Sequence, residues 1–386
     1  MKILAMNFLR LGDLLMSSPI CEDLKRKYPD SELHLAHFGE FQVAQEVMPQ
    51  VDFWHSFSRR KVQASCGDGE RSFLEGPQII YDFFEELNQN NFDLVINLSH
   101  TRFSALAMSL VDSKDKWGVF LSGDRAQYSS KCFLEMDLGE VSQKHYLDWY
   151  REGFGFESQE AEWRFAQEKI PSDGTDVSAG RAKYVFQVVS SDPKKAWNEE
   201  SWRRLFSEIR RRDPFADLEV LCAPNEEAQL KDFAQNSQVR LNPCSLSQAF
   251  EKISAADFFV TLDTSTKHLA NGTKTQVIEL CLGSASFRKQ GIYKSGALIL
   301  APRTECFPCE HKQNCTKVVR ECAQDIEVED VLAALSYFKT GQLEPVSCSV
   351  FQTQTKNKWA IEEIKTEQRS ENFENERRPR ESHSEA

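Results

Sequence analysis

An α/β fold of two Rossmann-like domains facing each other across a cleft is predicted by three observations. Short apolar runs alternate with amphipathic stretches of helical length, the pattern of parallel strands joined by helical crossovers. The alternation occurs twice, and between about Gly153 and Ala182 it lapses into "ESQEAEWRFAQEKIPSDGTDVSAGR", a polar stretch that reads as a linker. The chain has 386 residues, too many for one typical core, and its length fits two or three domains. The expected organisation is a first domain over 1–165, a second over 166–340 and a disordered polar tail over 341–386.

In the first series the strands are "KILAMNF", "ELHLAHF", "VDFWHSF" and "FDLVINLS". Helices are expected after Asp13, around "GEFQVAQEVM", at "PQIIYDFFEELNQ" and at "RFSALAMSLV". The second series runs strand "KYVFQVV", helix "EESWRRLFSEIRRR", strand "DLEVLCA", helices "NEEAQLKDFAQ" and "LSQAFEKISA", strand "DFFVTL", a short helix from "TKHLANG" and strand "TQVIELCL". Sheets of this kind bind ligands outside the carboxyl ends of their strands. After "EVEDVLAALSYF" the composition turns to Glu, Gln, Asn, Lys, Arg and Ser, which bury too little apolar surface to offset ordering entropy.

Composition narrows the function classes. A formal net charge of -12 argues against a nucleic-acid binder, because phosphate neutralisation needs a surplus of Lys and Arg. Basic clusters such as "LKRKYP", "SRRK" and "RRLFSEIRRR" read first as solvated helix faces. Arg10 and Asp13 interrupt the N-terminal apolar stretch before it reaches signal-peptide length, and no later run approaches the roughly 20 apolar residues of a membrane span. The expected location is therefore cytoplasmic. Eleven cysteines, an odd number with seven scattered singly, fit a reducing compartment.

Four constellations could carry chemistry. In "RLGDLL", Gly12 and Asp13 follow the first strand; the aspartate is either a helix cap or a base at the mouth of a site. In "AADFFVTLDTSTKHLANG" an apolar strand runs into Asp263, then Thr264, Ser265 and Thr266, with His268 beyond, a turn whose amides and hydroxyls suit a phosphate. In "SSDPKKAWNEESW", Lys195 lies where the first strand of the second unit presents its ligand loop and could answer a diphosphate oxygen. Cys306, Cys309, Cys315 and Cys322 could hold a structural zinc or an iron-sulfur group, or pack a loop as thiols.

On these residues the chain resembles glycosyltransferase family 9, the group that includes the lipopolysaccharide heptosyltransferases. The likeness is carried by "GDLLMSSPICEDLKRKYPDSELHLA", "PQVDFW", "FDLVINLS", "SALAMSL", "KAWNEESWRRL", "APNEE", "ISAADFFVTLDTSTKHLA" and the "CFPC" segment, in that order. The resemblance implies a GT-B architecture, with the acceptor in the first domain and a nucleotide-diphosphate sugar in the second. It implies Asp13 as catalytic base and Lys195 on donor phosphate. Glu226 or Glu227 would contact donor hydroxyls, and Asp263, Thr264, Ser265, Thr266 and His268 would surround the diphosphate. Ser265 stands where the family generally has glycine, and a side chain there could crowd a phosphate.

The implied activity is an inverting, metal-independent transfer of a sugar such as heptose from an ADP-heptose-like donor to a lipopolysaccharide core or related glycan, with no required cofactor. A lipid-linked acceptor implies peripheral contact with the inner face of the inner membrane, where Lys25, Arg26, Lys27, Arg59, Arg60 and Lys61 could meet anionic groups. Two alternatives within the same reading are a catalytically silent nucleotide-sugar binding module and a family 9 transferase using a non-heptose donor.

Overall fold

Two sheets, one parallel and one mostly parallel, organise the chain, each with its strand order reversing beside the first strand of its series. The computed structural model describes residues 1–67, 75–137, 144–158, 160–166, 181–309, 314, 315, 317, 319–355 and 358–365. The first sheet consists of β1 (Lys2–Asn7), β2 (Glu32–Phe38), β3 (Phe53–Phe57), β4 (Phe92–Asn97) and β5 (Ser113–Trp117), in the order β3-β2-β1-β4-β5. A small hairpin, β6 (Val119–Ser122) with β7 (Arg125–Tyr128), stands apart from it.

The second sheet begins with β8 (Lys183–Gln187), β9 (Asp217–Cys222), β10 (Arg240–Pro243), β11 (Phe258–Leu262), β12 (Gln276–Leu280) and β13 (Leu298–Ala301). It ends with β14 (Ser349–Thr355) and β15 (Trp359–Glu363), and its order is β10-β9-β8-β11-β12-β13-β14-β15. The first six are parallel and the last two antiparallel. Central strands such as "FFVTL" of β11 are buried throughout, as a parallel sheet covered on both faces requires.

Most expected elements are present, and four differ. The first helix starts at Leu11, so Asp13 lies inside it rather than ahead of it, and a second helix, Ser18–Lys27, follows directly. The "GEFQVAQEVM" segment is a 3-10 turn over Gly39–Glu46, kinked at Phe41, where φ -111 and ψ 21 leave the helical region. An unanticipated helix at Tyr146–Gly153 ends where the stretch read as a linker begins. Phe154, Phe156 and Phe165 beyond it are buried, while 167–180 lie outside the described residues.

The fourth difference is a correction to the tail. Ser349–Thr355 and Trp359–Glu363 form strands rather than a disordered tail: β14 pairs with β13 and β15 pairs with β14. The reason is local patterning that average composition hides, since Val350, Phe351, Thr353 and Trp359 are buried while Gln352, Gln354 and Thr355 stay wetter. Residues 366–386 lie outside the described residues.

The start of β15 and Lys358 before it also reach the first domain. The Trp359 amide donates to Asp148 Oδ2 at 3.0 Å, its indole Nε1 donates to the Ile292 carbonyl at 2.9 Å, and its ring lies 5.2 Å from that of His145. Lys358 Nζ lies 3.2 Å from Glu152. Replacing a packed Trp by Ala removes both its area and its neighbours' contacts, so Trp359→Ala is expected to destabilise the protein by about 3 kcal/mol. The check is the urea midpoint; an unmoved midpoint would take this hairpin out of the cooperative core.

Candidate active site

The reversal of strand order in the first sheet falls between β1 and β4, and the residues after those two strands enclose a cavity. Asn7, Leu9, Asp13, His100, Tyr146 and Tyr150 are on its wall. Asp13 is the third residue of the Leu11–Met16 helix, and its Oδ2 accepts the Arg10 amide at 3.2 Å, a reach back to the helix start. Asn7 Nδ2 donates to the Asp13 carbonyl at 3.1 Å. Capping geometry and placement on the cavity therefore coexist in this carboxylate.

Burial pushes the Asp13 carboxyl above its ordinary range; the Arg10 amide opposes the shift, and the charge of Asp263 adds to it. Tyr150 Oη lies 3.2 Å from His100 Nδ1. Burial first, and then the charge of Asp13, hold the phenols of Tyr146 and Tyr150 protonated, so both remain hydrogen-bond donors at neutral pH.

In the second sheet the order reverses between β8 and β11, and the loops after those strands carry Lys195 and Asp263. Lys195 Nζ donates to Asp263 Oδ2 at 2.5 Å. Lys267 Nζ bonds the other oxygen of Asp263 and also Glu279 Oε1, the latter at 2.8 Å. Burial alone would raise the Asp263 carboxyl, but the two ammonium groups outweigh it and hold the carboxyl well below its usual range.

The turn carrying Lys195 is fixed from beneath. Arg320 Nη1 donates to the carbonyls of Pro193 at 2.7 Å and Ala196 at 2.9 Å. Gly283, at φ +57, passes so near that a Cβ there would fall 2.3 Å from the Lys194 carbonyl.

Between these two sites the domains touch. A Cβ on Gly12 would lie 3.4 Å from His268 Cδ2, so the glycine beside Asp13 meets the histidine of the Asp263 segment directly. His268 is buried, its Nδ1 lacks a hydrogen-bond partner among the described residues, and burial holds the ring neutral. His145 adds a second bridge: its Nε2 donates to the Gly291 carbonyl at 3.0 Å while Nδ1 accepts the Leu147 amide at 3.2 Å. Those bonds fix one neutral tautomer, and burial lowers the His145 pKa to about 3.

Thr264 Oγ1 and Thr266 Oγ1 are 2.9 Å apart, and Thr266 Oγ1 donates to Gln187 at 3.3 Å, so these hydroxyls form a linked set. Ser265 has φ -60 and ψ -37, ordinary helical values that need no glycine. Glu226 and Glu227 follow β9, next to β8 in the sheet; Glu226 Oε2 accepts the Ala223 amide at 2.9 Å and Glu227 is exposed.

Cys306 and Cys315 are exposed and Cys322 is buried, and among the described residues no group of three His, Cys, Asp or Glu is arranged to hold a metal ion. Several of the basic residues have partners within the domain. Lys25 pairs with Asp52 and Arg59 with Glu40, Arg26 lies 2.8 Å from Glu162, and Lys27 lies 4.8 Å above the Trp117 ring. No helix among the described residues is long and apolar enough to cross a membrane.

Sequence reasoning does not select Tyr146, Tyr150, His100, Lys267 or Glu279. The first three reach the cavity only through topology. Glu279 carries a readable signal, an acid inside the apolar run "TQVIELCL", and such a residue needs a buried cation nearby.

Two Rossmann-like domains that present opposed switch points across a shared cleft define a GT-B-type fold. A family model described as glycosyltransferase family 9 (heptosyltransferase) matches residues 80–319, more than half of the chain, and the chain belongs to that family. It is 19% identical to Escherichia coli lipopolysaccharide heptosyltransferase 3 over 288 residues, covering 70% of this chain and 79% of the relative. Among solved structures it is similar to a family 9 glycosyltransferase from Veillonella parvula, with TM-score 0.64 and 14% identity over 88% of this chain and 97% of that one. It is likewise similar to the E. coli ADP-heptose lipopolysaccharide heptosyltransferase II, with TM-score 0.60 and 15% identity over 87% and 98%.

The neutral histidines have a measurable consequence. His145 and His268 take up protons in the unfolded chain at about pH 6.5 but not in the folded one, so stability is intact above that value and falls as pH drops below it. Urea unfolding at intervals from pH 8 to 4.5 is expected to give a declining free energy below about pH 6.5. His145→Gln should make the decline shallower; an identical slope would mean that His145 is protonated in the folded state.

Proposed function

We propose that this protein is an inverting glycosyltransferase that moves heptose from an ADP-heptose-like donor to a lipopolysaccharide core or related glycan. The observation that carries the proposal is the opposition of two sites: Asp13 at the switch point of one sheet, Lys195 with Asp263 at that of the other, and Gly12 touching His268 between them. Membership of family 9 supports sugar transfer, and the names of the relatives favour heptose over other sugars.

In this reading the acceptor hydroxyl enters the first-domain cavity and gives its proton to Asp13 as its oxygen attacks the anomeric carbon. The bond to the nucleoside diphosphate breaks on the opposite side, so the configuration inverts. A raised carboxyl suits this role, because a stronger base takes the proton more readily. The Tyr146 and Tyr150 hydroxyls orient the acceptor. The departing diphosphate gathers negative charge, which Lys195, the hydroxyls of Thr264 to Thr266 and the nearby amides stabilise. Glu226 or Glu227 binds donor hydroxyls, and His268 closes the site from water as a neutral ring.

The positive charge that the leaving group needs is supplied by side chains, so the transfer requires no metal ion. A lipid-linked acceptor would bring the enzyme to a membrane surface, where exposed cations of the first domain such as Arg60 and Lys61 would meet anionic groups. A catalytically silent module finds less support, since Ser265 imposes no backbone strain where glycine is usual.

Asp13→Asn is expected to lower kcat by about 10²–10⁴-fold while leaving ADP affinity unchanged. For the unmodified enzyme, kcat/KM should fall on the acid side with a midpoint above the ordinary carboxylate range. Turnover by a folded Asp13→Asn protein at the wild-type rate would remove Asp13 as the base. A chelator should leave the rate unaltered, and a loss reversed by added Mg²⁺ would place a metal in the reaction. Screening ADP-, UDP- and GDP-sugars for transfer distinguishes heptose from other donors.

A further inference from the structure

Lys267 is a fully buried ammonium, with its side chain 1% exposed, and the transfer mechanism does not use it. It lies one helical turn after Asp263 and touches two buried carboxylates. One is Asp263, whose other oxygen holds Lys195; the other is Glu279, whose exposure is 0%. Glu279 is itself fully engaged: Oε2 accepts the Ile292 amide at 2.7 Å, and Oε1 accepts the Cys281 thiol at 3.3 Å as well as Lys267. His268, Asp13, His145, Asp192 beside Lys195 and Cys281 beside Glu279 are further titratable groups whose charge or burial couples to the cluster.

The arrangement is a chain of alternating charge, Lys195–Asp263–Lys267–Glu279, with two cations against two anions. Lys195 is at the cleft end, its side chain 11% exposed, and Glu279 is at the sealed end. Asp263 therefore divides its charge between two ammonium groups. Without Lys267 the whole of that carboxylate would fall on Lys195, cancelling the charge that the cleft would offer to an incoming anion.

We propose that Lys267 is a positioning residue for the nucleoside diphosphate: by taking a share of Asp263, it leaves Lys195 with positive charge to present to the diphosphate oxygens. The proposal rests on the reading of this cleft as the donor site. It assigns Glu279 a supporting part as the counterion that makes a fully buried lysine tolerable.

The alternative is that Lys267 only stabilises the fold, and the test separates the two. Lys267→Met alone leaves Glu279 buried without a cation, so that variant is expected to unfold more easily. The Lys267→Met/Glu279→Gln double variant keeps the cluster neutral and should regain most of the thermal stability.

ADP, UDP and GDP are titrated calorimetrically into wild type to select the tightest nucleotide, which is then titrated into the double variant. The expected result is at least tenfold weaker binding at near-wild-type Tm. Adding Asp263→Asn to the double variant should release Lys195 and bring binding back to within a few fold. Equal binding by wild type and the stable double variant would overturn the proposal and leave Lys267 a structural residue. Failure of wild type to bind any of the three nucleotides would instead overturn the donor-site reading, and this proposal with it.

Discussion

A carboxylate shut away from water has to be answered by cations within reach, and Asp263 is answered twice. Removing one partner from a buried ion pair leaves a bare charge and costs about 3–5 kcal/mol, so the cluster constrains everything that carries its members. Lys195 must come from the turn after β8, Lys267 from the short helix after β11, and Glu279 from the middle of β12. The three strands are neighbours in the sheet, which is why their loops converge. Arg320 and the close pass of Gly283 then hold the Lys195 turn against the far side of the domain. The second domain's share of the cleft is thus built on charge neutralisation first and shape second.

The first domain meets it with softer groups. Asp13 is partly buried and held at a helix start; the cavity wall beside it carries phenols, an imidazole and an amide, and the charges of Arg10 and Lys195 act on it less than burial does. That difference separates the electrostatics of the two halves: a proton acceptor in one, anion stabilisation in the other. Two neutral contacts lie between them, the His268 ring on Gly12 and the His145 bond to the Gly291 carbonyl. An imidazolium at either place would add a buried positive charge near the already paired Lys267, and burial keeps both rings from protonating.

Much of the fold was legible because its signals are local. "ELHLAHF" is bounded by Pro29 and Asp30 on one side and Gly39 on the other, and the strand runs over Glu32–Phe38. The Glu199–Arg212 helix carries acids in its first turn and arginines in its last. The "GD" turn and the Asp263–His268 segment stand out for the same reason, since the residues that matter are adjacent in the chain. Tyr150 and His100 are 50 positions apart, and only the packing of the Tyr146–Gly153 helix against the end of β4 makes them neighbours. Lys267 was visible as a charge next to His268, but its burial depends on Glu279, an acid twelve residues on in another strand. The strands of the tail are hidden in the sequence because averaging over 341–386 dilutes the alternation in "SVFQTQT" with the glutamates and arginines that follow.

That same polar composition has a consequence for how the molecule coexists with its own copies. A sheet that ended at β13, with its apolar "LILA", would leave a row of unpaired amides and carbonyls on a sticky flank, an invitation to intermolecular strand addition. Instead β14 covers that flank and β15 closes it with a short strand whose Glu362 and Glu363 are exposed. At the opposite flank, β10 is four residues long and ends in Pro243, which has no amide to offer a neighbour. Acidic side chains on one rim and a proline on the other discourage self-templating at both ends of the larger sheet. A segment whose makeup suggested that it could not fold is, for that reason, well suited to be outermost.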